Sequence, residues 1–177
     1  MRITGGILGG RRIKVPGGII RPAMDRMRES IFSILGDLNG SSFLDIFSGS
    51  GIIALEAASR GASFIEAVEL DREKRKILLD NVKISPVRIN CKFISAELYI
   101  KRAKRDFDYI FLDPPFPYNH KFELVENIAS SKLMHKDSLL MMHFPKEESK
   151  KEVSGNLILT DSREYGRSIV NFFKILS

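Results

Sequence analysis

From residue 43 to residue 144 the chain alternates short apolar runs with stretches whose apolar residues recur at helical spacing. The runs Phe43–Phe47, Phe64–Leu70, Arg88–Ile94, Tyr109–Leu112 and Leu139–Phe144 are expected strands, and Ile52–Ser59, Arg72–Lys83 and Phe122–Ser131 expected helices. Near-continuous apolar strands separated by helices imply a mostly parallel sheet covered on both faces, an α/β fold. Two late runs, Leu157–Thr160 and Ile169–Ile175, are joined tightly around Tyr165-Gly166 and are expected to form an antiparallel hairpin closing one sheet edge. In an open sheet of this kind ligands gather outside the carboxyl ends of the strands. The loops after Phe47, Leu70, Ile94 and Leu112 therefore share one rim.

At 177 residues, 44% hydrophobic and 28% charged, the chain suits one compact domain. Its single cysteine, Cys91, excludes an intramolecular disulfide and a cysteine zinc cluster, and fits a reducing cytoplasm. The opening residues lack the apolar core of a signal peptide, and no segment has the length of a membrane span. The net charge of +6 favours a polyanionic partner. Its distribution is uneven: Arg2, Arg11, Arg12, Lys14, Arg21, Arg26 and Arg28 face one acid, Asp25, within the first 28 residues. Glycines at 5, 6, 9, 10, 17 and 18 punctuate short apolar runs, predicting a β-hairpin-like or extended arm over residues 1–22. Beyond it, residues 23–177 form the main domain, beginning with an amphipathic helix (Met27, Ile31, Ile34, Leu35) that ends near Gly36.

The segment Phe43 to Gly51 passes from a strand through a glycine turn into a helix. Such a turn is also what an ordinary loop needs, and Ala54, three positions after Gly51, is tolerated in some dinucleotide folds. Asp45 discriminates. A carboxylate in this loop repels a pyrophosphate but suits the cationic amino-acid end of S-adenosylmethionine. Glu69, closing the second run, can accept hydrogen bonds from ribose hydroxyls, or it is a surface acid. The candidate cofactor set is Asp45, Phe47, Gly49, Ser50, Gly51, Glu69, Ser95 and Ala96.

The run Tyr109-Ile110-Phe111-Leu112-Asp113-Pro114-Pro115-Phe116 is more specific. Two prolines remove two amide donors and leave carbonyls beside the Asp113 carboxylate, an acceptor-rich loop. An exocyclic amine of a nucleobase offers two N–H donors to such a loop, and Phe116 can stack on the base. Asp113, Pro114, Pro115 and Phe116 are thus the candidate catalytic set; a rigid strand-end turn is the plain alternative. The glycine-spaced basic residues suit an arm on a phosphate backbone, though a charge run is more often simply a solvated face. Lys101, Arg102, Lys104 and Arg105 are expected to be a solvated cluster on a helix. His120, His135 and His143 share no ligand spacing, so no metal is expected and all three are read as structural or surface residues. Tyr165 and Arg167 flank a turn where RNA contact competes with a plain turn role.

These motifs, together with Met1-Arg2-Ile3, Gly10-Arg11-Arg12, Arg21-Pro22, Asp25-Arg26-Met27-Arg28-Glu29, Leu55-Glu56-Ala57 and Ser59-Arg60-Gly61-Ala62, resemble the bacterial 16S ribosomal RNA guanine-N2 methyltransferase family that modifies guanine 966. The resemblance covers nearly the whole chain. It implies a Rossmann-like class I methyltransferase fold with a seven-stranded sheet and a C-terminal antiparallel hairpin. It implies S-adenosylmethionine on Asp45, Gly49, Gly51 and Glu69, a guanine on Asp113–Phe116, and ribosomal RNA on the basic N-terminus. The expected partner is 16S rRNA, within an assembling small subunit or free, and the chain is expected to act as a monomer. Ala23 departs from the usual threonine after Arg-Pro, and Ser95-Ala96 from the usual acid beside adenine. A DNA amino-methyltransferase, a non-catalytic RNA-binding assembly factor and a nicotinamide oxidoreductase are the competing readings.

Overall fold

The computed structural model describes residues 1–15, 22–148 and 156–176. Arg21 and the expected arm residues 16–20 lie outside the described residues. Seven strands form one sheet in the order β3-β2-β1-β4-β5-β7-β6. The strands are β1 (Ser42–Ile46), β2 (Phe64–Val68), β3 (Ile89–Lys92), β4 (Tyr109–Leu112), β5 (Leu139–Pro145), β6 (Leu157–Tyr165) and β7 (Ser168–Ile175). The first five pair in parallel, whereas β7 enters antiparallel between β5 and the edge strand β6. The expected mostly parallel α/β sheet with a terminal hairpin is thus the observed one.

Strand order reverses at β1, which lies between β2 and β4. Its residues Phe43 to Ile46 are all buried, as a central parallel strand covered on both faces requires. Alternation splits the core accordingly. Phe43, Ile65, Phe111 and Met141 pack on the side of α1 (Pro22–Leu35) and α2 (Ile52–Ser59), with Leu78 of α3 (Arg72–Asn81). Leu44, Ile110, Leu112 and Leu140 pack on the side of α4 (Ala96–Lys101) and α5 (Lys121–Ala129). The helix under the second basic cluster is short: it includes Lys101, Arg102 caps it, and Lys104 and Arg105 follow it. Arg105 lies over the Phe64 ring, 3.7 Å from its centroid.

The N-terminal segment doubles back through a single antiparallel bridge, Arg2 to Arg12, supported by Ile3 N–H to Arg11 O and Ile13 N–H to Met1 O. Ile3, Leu8 and Ile13 are buried in the α1/α2 side of the core. Polar contacts fix the seat. Leu8 N–H donates to Ser59 Oγ at 2.8 Å, Ser59 Oγ donates to Gly5 O at 2.6 Å, and Ile7 N–H donates to Ser59 O at 2.9 Å. Gly6 permits this approach: it has φ +72°, and a β-carbon there would stand 1.9 Å from Ser59 O.

Glu56, with no exposed surface, is the central anchor. It accepts from Thr4 N–H (2.7 Å), Thr4 Oγ1 (3.1 Å), Arg28 Nε (3.4 Å) and Arg60 Nη1. Arg28 also donates to Asp25 Oδ1 at 2.6 Å, Arg2 O at 3.1 Å and Met24 O at 3.3 Å. Arm, α1 and α2 thereby meet at one buried ion cluster. Removing the acid leaves buried Arg28 with half-buried Asp25 as its one counter-ion among the described residues and takes the carboxylate from Arg60 and Thr4, so Glu56→Ala is expected to lower unfolding free energy by about 3 kcal/mol in urea titrations. Adding Arg28→Met should restore part of that loss.

Candidate active site

Backbone hydrogen bonds bring three rim loops together. Ser48 N–H donates to Val68 O at 2.9 Å, Asp113 N–H to Ile46 O at 3.2 Å, and Glu69 N–H to Lys92 O at 3.0 Å. A cavity of about 690 Å³ opens among them, within the size range of small-molecule sites. Phe47, Gly49, Glu69 and Leu70 line it together with Asp113–Phe116, Tyr118 and His143. Met1 of the arm, Met24 of α1, and Asp71 and Lys74 at the N-terminus of α3 complete the lining. A neighbouring cavity of about 180 Å³ includes Ser50, and one of about 70 Å³ is bordered by Phe47, Leu70, Ser95, Ala96 and Tyr118. The structure thus gathers Phe47, Gly49, Ser50, Glu69, Ser95, Ala96 and Asp113–Phe116 around one rim.

Within the first loop Gly51, at φ +82°, precedes α2 and has no side chain to cap it. Asp45 takes that role from the strand: its Oδ2 accepts from Ala54 N–H at 3.2 Å and from Ser48 Oγ at 2.6 Å. Asp45 is therefore a buried organiser of the loop rather than part of the cavity surface, 1% exposed. Burial is the main cause that raises its carboxyl from an ordinary 3.8 to about 7. Ser48 and the Ala54 amide pull it down, while the charges of Asp113 and Glu69 push it up.

Glu69 Oε2 accepts from Gly49 N–H and Oε1 from Asp71 N–H, both at 2.8 Å. This carboxylate ties the β1 loop to the β2 tip and keeps lone pairs free toward the cavity, since an ionised carboxylate has about four acceptor sites. Ser95 caps α4 by accepting from Leu98 N–H at 3.2 Å, so its oxygen already has a backbone partner. Phe47 adopts φ +65°, a left-handed backbone on a bulky residue, and its ring meets the edge of Tyr118 at 5.4 Å.

The Asp113–Phe116 loop is more occupied than its sequence suggests. Pro115 O accepts from Tyr118 N–H at 2.9 Å, and Phe116 O accepts from Lys121 Nζ at 3.0 Å. Among the described residues, the Asp113 and Pro114 carbonyls and Asp113 Oδ2 are the loop acceptors with no internal partner. Lys121, 1% exposed, also bonds Glu148 Oε1 at 2.7 Å. The Phe116 ring is 42% exposed and open to stacking. Lys121 and His143 were not among the expected site residues. The available signal was a histidine interrupting the apolar run Leu139 to Phe144 where the strand reaches the rim; its 2% exposure corrects any surface reading.

Of the expected RNA-contacting residues, Arg2, Arg11, Arg12 and Arg26 are exposed. Lys14 is exposed and pairs with Asp80 at 3.0 Å, while its backbone is held by Asn81, which also donates to Ser50 O at 2.9 Å. Arg28 is a correction: at 1% exposure its guanidinium is engaged by Asp25 and Glu56 and faces no external phosphate. Tyr165 donates to Ser30 Oγ at 2.6 Å and so braces the hairpin on α1. Arg167 is open to solvent beside Glu147.

Residues 1–174 match the family described as "Conserved hypothetical protein 95". The chain belongs to this family. Among relatives, the Bacillus subtilis protein named "Putative rRNA methyltransferase YlbH" is 30% identical over 98% of each chain. The Haemophilus influenzae "Ribosomal RNA small subunit methyltransferase D" is 28% identical over 84% of this chain and 80% of its own. The solved structure of "Putative methyltransferase yhhF from Escherichia coli" superimposes with a TM-score of 0.87 at 26% identity, covering 99% of this chain and 97% of that one. The family and the methyltransferase fold inferred from sequence resemblance are both borne out.

The raised Asp45 has a measurable consequence. Between about pH 4 and 7 the unfolded chain has released this proton while the folded, ligand-free protein keeps it, so stability falls as pH rises through that window. The full shift corresponds to about 4 kcal/mol. Melting curves from pH 5 to 8 should show a steeper decline for wild type than for Asp45→Asn, which keeps the acceptor for Ser48. Parallel curves would reject this assignment.

Proposed function

We propose that this chain transfers a methyl group from S-adenosylmethionine to the exocyclic N2 of a guanine in 16S rRNA, at position 966. The observation that carries the reading is the placement of Asp113-Pro114-Pro115-Phe116 on the same cavity as the Glu69–Gly49 clamp. Relatives named as ribosomal RNA methyltransferases support the substrate class, and the whole-chain resemblance supports guanine and its position.

The residues fit the cofactor on electrostatic grounds. The charges of Asp113 and Glu69 oppose ionisation of buried Asp45, and acids gathered this way disfavour a pyrophosphate and favour a sulfonium with an ammonium. Glu69 would hold the ribose, the Phe47–Gly51 loop the amino-acid end, and the surface around Leu70, Ser95 and Ala96 the adenine. When bound, S-adenosylmethionine supplies an electrophilic methyl. The chain's own part is orientation. Asp113 and the Pro114 carbonyl accept the two amine hydrogens, which turns the nitrogen lone pair away from them, and Phe116 stacks on the base. Such alignment contributes much of the acceleration because the amine lone pair is delocalised into the ring. Asp113 is placed to take the proton released as the N–C bond forms. The exposed Arg2, Arg11, Arg12 and Arg26, on the segment that also supplies Met1 and Met24 to the cavity, would meet RNA phosphates with steep salt dependence. Arg21, outside the described residues, and the exposed Arg167 are proposed as further RNA contacts. The protein is proposed to act as a monomer in the cytoplasm, with residues 1–22 as its RNA-facing arm.

Labelled-methyl transfer to small-subunit rRNA or assembling subunits, followed by mass-spectrometric mapping of the modified base, tests this directly. Methylation at no RNA site would sink it. Asp113→Ala should lower transfer by about 10²–10³-fold while leaving S-adenosylmethionine binding intact. Because a cationic ligand favours ionised Asp45, calorimetric affinity for S-adenosylmethionine should tighten as pH rises through 7, and Asp45→Asn should flatten that trend.

A further inference from the structure

The geometry points to His143 as the positioning residue of Asp113: a neutral imidazole that donates from Nδ1 to Asp113 Oδ1 and thereby presents Oδ2 to the amine. Its role in turnover rests on the amine-methylation reading above, but the contact itself does not.

The sheet register creates the pair. β4 and β5 run in parallel with Leu112 opposite Met142, so the next residues along, Asp113 and His143, fall side by side as β4 ends. β5 continues in antiparallel pairing with β7, His143 opposite Val170, and this fixes the backbone that carries the imidazole. Nδ1 lies 2.7 Å from Asp113 Oδ1, a short distance typical of a charge-assisted bond. Phe116 stands edge-on to the imidazole at 5.8 Å, so one side chain touches both the acceptor and the stacking surface.

The other ring nitrogen decides the protonation pattern. Nε2 is buried and has no hydrogen-bond partner among the described residues. An unsatisfied lone pair there is the lesser fault, because orphaned buried N–H groups are rarer in folded proteins than under-satisfied acceptors. Of the three forms of histidine, only the neutral Nδ1–H tautomer both donates to Asp113 and avoids a stranded N–H. Imidazolium puts a proton on Nε2, and the opposite tautomer sets a lone pair against the carboxylate. His143 consequently holds the acceptor in place and does not itself receive the amine proton, which passes to Asp113 and from there to solvent.

Substitutions separate hydrogen bonding from packing. The amide nitrogen of asparagine overlays Nδ1, and that of glutamine overlays Nε2. His143→Phe keeps an aromatic ring beside Phe116 but loses the donor, and should lower kcat by about tenfold to a hundredfold with little change in KM for RNA. His143→Asn should recover most of that loss, and His143→Gln should not. Equal activity of the Phe variant and wild type, or equal rescue by Asn and Gln, would overturn the proposal. A second readout needs no RNA: long-range proton–nitrogen spectra of the wild type should show protonated Nδ1 and bare Nε2 for His143, and Asp113→Ala should erase that preference. An Nε2–H tautomer or an imidazolium in the active protein would also overturn it. Should the wild type methylate no RNA, the functional reading falls while the spectrum still decides the His143 contact.

Discussion

Glu56 is an acid with no water contact in the middle of a nearly uniform apolar helix, and its needs shape everything around it. Desolvating a carboxylate is costly, and the cost is offset only where several donors converge with good geometry. Those donors come from Thr4, Arg28 and Arg60, on three separate segments. Apolar packing alone would let the N-terminal segment slide over α2. A carboxylate with fixed acceptor directions gives it one seat, and that seat brings Met1 and Met24 to the cavity.

Two buried acids on neighbouring elements therefore behave differently. Glu56 is matched by guanidinium groups, whereas Asp45 meets only a hydroxyl and an amide, with further negative charge nearby. The first is neutralised within the fold. The second keeps its proton below about pH 7 and gives it up more readily when a cation binds, so the rim favours a cationic cofactor over a phosphate-bearing one. Glu69 lies between these cases, because both its oxygens are anchored by backbone amides yet remain on the cavity wall.

The sheet was legible because buried parallel strands are continuous apolar runs; Tyr109–Leu112 and Ile52–Ser59 coincide with the expected bounds. The second strand ends at Val68, short of the expected Leu70, because Glu69 turns its carboxylate back to Gly49 and Asp71. The helix expected under the second basic cluster spans only Ala96–Lys101, less than two turns, too few for apolar spacing to fix its bounds. The fate of Arg28 was hidden for another reason: its exposure depends on where a glutamate 28 positions away comes to rest. His143 was hidden similarly. A lone histidine has no periodicity, and its partner is set by register between two strands.

The cavity lining draws on residues as distant in sequence as Met1, Gly49, Glu69, Asp113 and His143. No contiguous fragment of the chain carries even a rudimentary version of it. Ligand binding in this protein thus reports on folding of the whole molecule: local loosening of the arm, the sheet centre or the last parallel strand dismantles the same pocket. Selection for activity acts on that account as selection for cooperativity, because a partly folded chain retains no partial function.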